Sequence, residues 1–181
     1  MPQMMDRLRA RIQWFMGMRL AAVTLLLGLS LVFHVTKGER PETFYALIVC
    51  TYALTIPYVL ILRRLTDPEA LVRLTWVQVA GDVLLETVLI ARTGGIESPF
   101  VVLYTISITV ASLVPRRRVG VAAASGCVIL LGLLANAQLY GLTELWGWLP
   151  PARLSAPEAL QSFGVYGAAF LLVGFLSGLL V

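Results

Sequence analysis

The chain is poor in charge. Of its 181 residues, 13 % are Asp, Glu, Lys or Arg, while 59 % are hydrophobic. An ordinary soluble domain carries about 25 % charged residues. A soluble reading is therefore excluded, and a mean hydropathy of +0.85 agrees. Histidine is nearly absent: His34 stands alone, which leaves no histidine-paired metal site and no serine–histidine hydrolase. The two cysteines, Cys50 and Cys127, each fall inside an apolar run. They read as small buried residues rather than a disulfide or a metal pair. There is no Walker loop and no dinucleotide fingerprint; Arg92-Thr93-Gly94-Gly95 lacks the lysine and the preceding strand of a phosphate loop. The net charge is +4, but the basic residues stand at the ends of apolar runs and not in one patch. That pattern gives no footprint for nucleic acid. The N-terminus, MPQMMDRLRARIQW, is basic and amphipathic without a small-residue cleavage site. It reads as an interfacial helix with Trp14 at headgroup level, not as a signal peptide.

What the chain has is apolar runs. A membrane-crossing helix needs about 20 apolar residues. The sequence predicts an all-α, polytopic membrane protein of six transmembrane helices with short connections, at about 15–35, 42–62, 74–91, 99–114, 119–139 and 160–181. Little remains for a soluble domain. Pro57 predicts a kink in the second span.

The third span is the unusual one. Gln78, Asp82 and Glu86 interrupt its apolar run WVQVAGDVLLETVLI. Four-residue spacing puts all three on one helical face. Ionisable groups at membrane depth are expensive and usually functional; a polar stripe packed against other helices is the plainer reading. Asp82 stands about 10 Å below the end of the apolar stretch, and Glu86 one turn nearer the surface. Gly94-Gly95 permits a sharp reversal, Ser98 suits an N-cap and Pro99 a first helical turn. The fourth span then carries Tyr104, Thr105, Ser107, Thr109 and Ser112. Such hydroxyls can satisfy themselves on their own backbone. They also suit Gln78, Asp82 and Glu86 as partners, with Gln78, Thr105 and Ser107 the expected donors to Asp82.

The fifth span opens on small residues, including Gly120, Ala124 and Gly126, and has Asn136 and Gln138 at its far end. Small residues let helices approach closely in lipid. Residues 140–160 form the longest connection, with Trp146 and Trp148 reading as an interface belt. Gly174 and Gly178 in the sixth span form a small-xxx-small pair, open to internal packing or to contact with a second copy.

Orientation follows the basic residues. Arg7, Arg9, Arg11, Arg19, Arg63, Arg64, Arg73, Arg116, Arg117 and Arg118 fall on one side, and Lys37, Arg40, Arg92 and Arg153 on the other. The first side is expected to be cytoplasmic, with both termini there and the 92–99 turn outside. The chain stops on Val181 without polar anchoring residues, as expected of a fragment cut where span six enters a cytoplasmic domain.

Gln78, Asp82, Gly94-Gly95, Ser98-Pro99-Phe100 and Leu103-Tyr104 carry a family resemblance. It continues through Ile108, Ala111 and Arg116-Arg117-Arg118, and returns at Gly174-Phe175-Leu176-Ser177. The chain resembles the N-terminal membrane domain of bacterial sensor histidine kinases that control type IV pilus genes. The resemblance implies a six-span input module in the inner membrane that senses the pilin transmembrane helix. It implies a homodimer in the full-length protein and a response regulator reached through cytoplasmic domains. ATP and Mg would belong to that kinase part; the present segment has no catalytic residues, and no cofactor or metal is expected in it. The competing reading is a small membrane transporter or its substrate-binding membrane subunit, which six spans around a polar cluster would also suit.

Overall fold

The computed structural model describes residues 42–65, 67–112, 118–141 and 154–179, together with residues 14, 17, 20, 21, 23–25 and 28, which are helical. Most of the predicted first span, Trp146, Trp148, Arg116 and Arg117 lie outside the described residues, and of Arg118 only the backbone is described. The elements in order are α1 (Glu42–Arg64), α2 (Pro68–Arg92), two 3-10 turns (Gly95–Glu97 and Pro99–Val102), α3 (Leu103–Ser112), α4 (Arg118–Leu139) and α5 (Ala156–Leu179). Among the described residues, three stretches are long and apolar enough to cross a membrane: Val72–Arg92, Val119–Leu139 and Ala156–Leu179. Val49–Ile61 and Pro99–Ser112 are shorter apolar helices.

Two compact units make up the chain, Met1–Gly81 and Asp82–Val181, and their boundary falls within α2. In the first unit α1 continues as helix across Pro57. The Tyr58 hydroxyl donates to the Val77 carbonyl at 3.3 Å. Gly81 keeps that contact open, since a Cβ there would stand 3.1 Å from the hydroxyl. Asp67 starts α2: its carboxylate oxygens accept from the Glu69 and Ala70 amides at 3.3 and 3.1 Å. With Pro68 in the first turn, this satisfies amides that a helix start otherwise leaves open. The helix therefore begins ahead of its apolar stretch. Cys50 is exposed on α1, unlike the buried position expected of it; Cys127 is buried.

In the second unit α4 and α5 run antiparallel, and α3 packs on both. Ascending positions in α4 meet descending positions in α5. Gly174 would bring a Cβ to 2.9 Å from the Ala124 Cβ and from the Gly120 carbonyl oxygen, Gly167 faces Val128, and Gly132 faces Phe163. Gly167, Phe170, Gly174 and Gly178 are all buried on one face of α5. Gly174 thus serves internal packing. Two ends explain where helices stop and start. Gly141, at φ 66°, follows α4 in the left-handed conformation that glycine adopts freely. Before α5, the Ser155 amide and hydroxyl both donate to Glu158 Oε2, at 2.8 and 2.6 Å. This is the reciprocal half of a capping box, and it begins the helix at Ala156, ahead of the predicted span.

The predicted fourth span is not α-helical from its start. Pro99–Val102 is a 3-10 turn, and α3 begins only at Leu103. Proline has no amide proton to donate, and the Phe100 amide is taken by Ser98 Oγ at 3.2 Å. The first turn is therefore closed by a side chain. Large apolar residues such as Leu84, Val88, Ile129, Leu133, Leu172 and Phe175 are exposed, while Asp82, Glu86 and Ser107 are buried. That inversion suits a lipid-facing exterior.

Candidate functional site

The second unit gathers its polar side chains in two places. One is the contact of α2 with α3. Asp82 and Glu86 are 2 % and 3 % exposed, one turn apart on α2. Ser107 Oγ donates to Glu86 Oε1 at 2.7 Å. At the next residue, Thr87 Oγ1 donates to the Val83 carbonyl at 2.6 Å. The Tyr104 hydroxyl lies 2.6 Å from the same Thr87 oxygen. A threonine hydroxyl has one proton, and Val83 receives it, so Tyr104 is the donor to Thr87. The Tyr104 ring meets Phe170 edge-on, with centroids 5.7 Å apart and planes at 79°. Phe170 in turn stacks on Tyr166 at 6.2 Å. A buried carboxylate is thus joined to α3 by hydroxyls, and α3 to α5 by aromatic rings.

Several expected residues stand elsewhere. Gln78 belongs to the first unit, where it is 2 % exposed and its Oε1 has no hydrogen-bond partner among the described residues. Thr105 is half-buried, and its carbonyl accepts from Thr109 Oγ1 at 2.8 Å. Ser107 pairs with Glu86 and not with Asp82 as expected. The sequence reading passed over Thr87, whose only signal was its position beside Glu86.

The other place is the reversal between α2 and α3. Gly94 and Gly95 have φ of 127° and 63°, conformations open to glycine and strained for other residues. The Thr93 and Ser98 hydroxyls hydrogen-bond across the loop, and Thr93 Oγ1 also donates to the Leu89 carbonyl at 2.7 Å. Gln138, in the last turn of α4, reaches in with both ends of its amide. Oε1 accepts from the Ile96 amide at 3.0 Å, and Nε2 donates to the Gly94 carbonyl at 3.1 Å. Glu97 Oε1 accepts from the Leu154 amide at 3.1 Å. The reversal is therefore fastened to the ends of both α4 and α5. Gln138 had been read only as a polar residue near an interface.

Among the described residues, no group of three or more His, Cys, Asp or Glu could hold a metal ion. What the arrangement offers is a set of hydroxyls able to turn between a partner helix and their own backbone.

The family of PilS-like transmembrane domains matches residues 2–181. The chain belongs to this family. No curated protein and no solved structure matches it. The PilS-like match takes in both units, the buried carboxylates of α2 and the glycine reversal. An all-α, multi-helix membrane domain of PilS-like type accordingly carries the polar contact and the fastened reversal described above.

Proposed function

We propose that the chain is the membrane signal-input module of a two-component sensor histidine kinase controlling type IV pilus gene expression. The observation that carries this reading is the family match over residues 2–181. In this reading six spans cross the inner membrane at about the positions the sequence predicts, both termini are cytoplasmic, and Arg116-Arg117-Arg118 anchors the cytoplasmic face. The Gly94-Gly95…Ser98-Pro99 reversal faces outward. Pilin presents its transmembrane helix to the bundle. A ligand shifts an equilibrium only through its differential affinity for the two states. The polar set of Gln78, Asp82, Glu86, Tyr104, Thr105 and Ser107 provides the groups whose pairing differs between states. Phosphorylation of a response regulator, with ATP and Mg, belongs to cytoplasmic domains of the full-length homodimer.

A domain exchange tests the reading. The full-length kinase is compared with a form in which residues 1–181 are replaced by an unrelated six-span anchor, in cells with and without pilin. Pilin-dependent promoter-reporter output is expected to vanish in the exchanged form at equal membrane level. Output that still follows pilin would place sensing outside this segment. Uptake of a defined solute by vesicles holding the chain alone would favour a transporter instead.

A further inference from the structure

The Gln138 amide sits where it can govern the α2–α3 reversal from outside it. Ile96 is buried, and its amide proton is taken by Gln138 Oε1. The reversal's own backbone bonds run from Glu97 N to Gly94 O at 3.3 Å and from Ser98 N to Gly95 O at 3.0 Å. Neither uses the Ile96 amide. An unpartnered buried amide is costly, and native structures rarely hold one. Gln138 is itself buried. A Cβ on Gly95 would overlap its carboxamide, so the side chain is seated directly against the glycine backbone.

We propose that Gln138 is the positioning residue of the α2–α3 reversal: its carboxamide, seated against Gly95, fixes the Gly94–Ile96 backbone and so sets the register in which α2 presents Glu86 to Ser107 on α3. The reversal is the only covalent link between those two helices, and it spans residues 93–102. A change in its geometry is passed directly to the position of α3. Both bonds are needed for this. The acceptor fixes Ile96, the donor fixes Gly94, and together they hold the two residues that flank Gly95. Asparagine, one methylene shorter, could not reach both. Glutamate could keep the acceptor but not the donor.

Hydrogen exchange at the Ile96 amide reads this contact without relying on the proposed signalling role. The chain is purified in detergent micelles, and exchange is followed residue by residue. Locally protected amides report the free energy of local opening. Gln138→Met keeps the length and removes both hydrogen bonds; it is expected to speed Ile96 exchange about tenfold or more. Amides in the middle of α4 and α5 are expected to keep their rates. Gln138→Glu restores the acceptor and is expected to recover most of the protection. Gly95→Ala alone is expected to match Gln138→Met. Added to Gln138→Ala, which clears the overlapping atoms, it is expected to cost little beyond the strain at its positive φ. Unchanged Ile96 exchange in Gln138→Met would overturn the proposal. So would equal acceleration throughout α4 and α5, which would make Gln138 a general packing residue. Loss of protection in Gln138→Glu equal to that in Gln138→Met would remove the acceptor from the proposal.

Discussion

The α2–α3 reversal and the α4–α5 seam are both built on glycine, and they use it in opposite ways. At the reversal the backbone leaves helical geometry, with Gly94 and Gly95 at positive φ. Its amides and carbonyls then need side-chain partners: Gln138 serves Gly94 and Ile96, and Ser98 Oγ serves the Phe100 amide. In the seam the helices satisfy their own backbones. Glycine there serves close approach: Gly174 lies against the Gly120 carbonyl, and a Cβ on Gly120 would overlap Ser112. Irregular backbone in a membrane protein calls for specific polar side chains, whereas regular backbone calls for small ones.

The largest expected effect is in the seam. Gly174→Ile must push backbone as well as side chains, since its nearest neighbours include the Gly120 carbonyl at 2.9 Å. A loss of about 3 kcal/mol or more is expected in reversible unfolding from mixed micelles. Gly164 has nothing within 4 Å of an added Cβ, and Gly164→Ile is expected to stay within about 0.5 kcal/mol. Equal losses at the two sites would erase the distinction between a packed and an open glycine.

Next in size is the reversal. Gly95→Ala adds backbone strain at φ 63° to overlap with Gln138, and about 1–3 kcal/mol is expected in the same assay. Gly126, helical and with open space around it, gives the contrast: Gly126→Ala is expected to be neutral or stabilising by up to about 1 kcal/mol. The smallest effects belong to the hydroxyls. Ser107→Ala removes the bond to Glu86, which between membrane helices is worth about 0.6 kcal/mol and at most about 1.7. A double-mutant cycle of Thr87→Val with Tyr104→Phe is expected to show coupling of the same order. Coupling indistinguishable from zero would mean that the 2.6 Å contact is geometry without energy.

The sequence made the helical, membrane-embedded class legible, because low charge and long apolar runs leave no other solvent for the chain. The shared face of Gln78, Asp82 and Glu86 was legible too, since spacing alone fixes it in any helix. The partners were not. Whether Ser107 meets Asp82 or Glu86 depends on the rotation and rise of α3, and these follow from a 3-10 turn at Pro99–Val102 in place of α-helix. Gln138 could not be read as a partner of Gly94 and Ile96, more than forty residues away, because nothing local in LANAQL signals it. The helices start at Pro68 and Ala156, ahead of the expected spans, for a different reason. Hydropathy marks the apolar stretch, whereas Asp67 and Ser155–Glu158 mark the start of hydrogen bonding.

The most direct test of the central proposal, that the buried carboxylate face of α2 sets the input state of a sensor kinase, is promoter-reporter output of the full-length protein carrying Asp82→Asn or Asp82→Leu. It is measured with and without pilin, with membrane level checked. Asp82→Asn keeps the size and most hydrogen bonding but removes the ionisable group, and Asp82→Leu removes the polar group altogether. A shift in basal output or pilin response of about threefold is expected for Asp82→Asn, as a change near 0.6 kcal/mol in the balance of states would produce. A larger shift is expected for Asp82→Leu. Unchanged output from both variants at normal protein level would contradict the claim and leave this face a packing device.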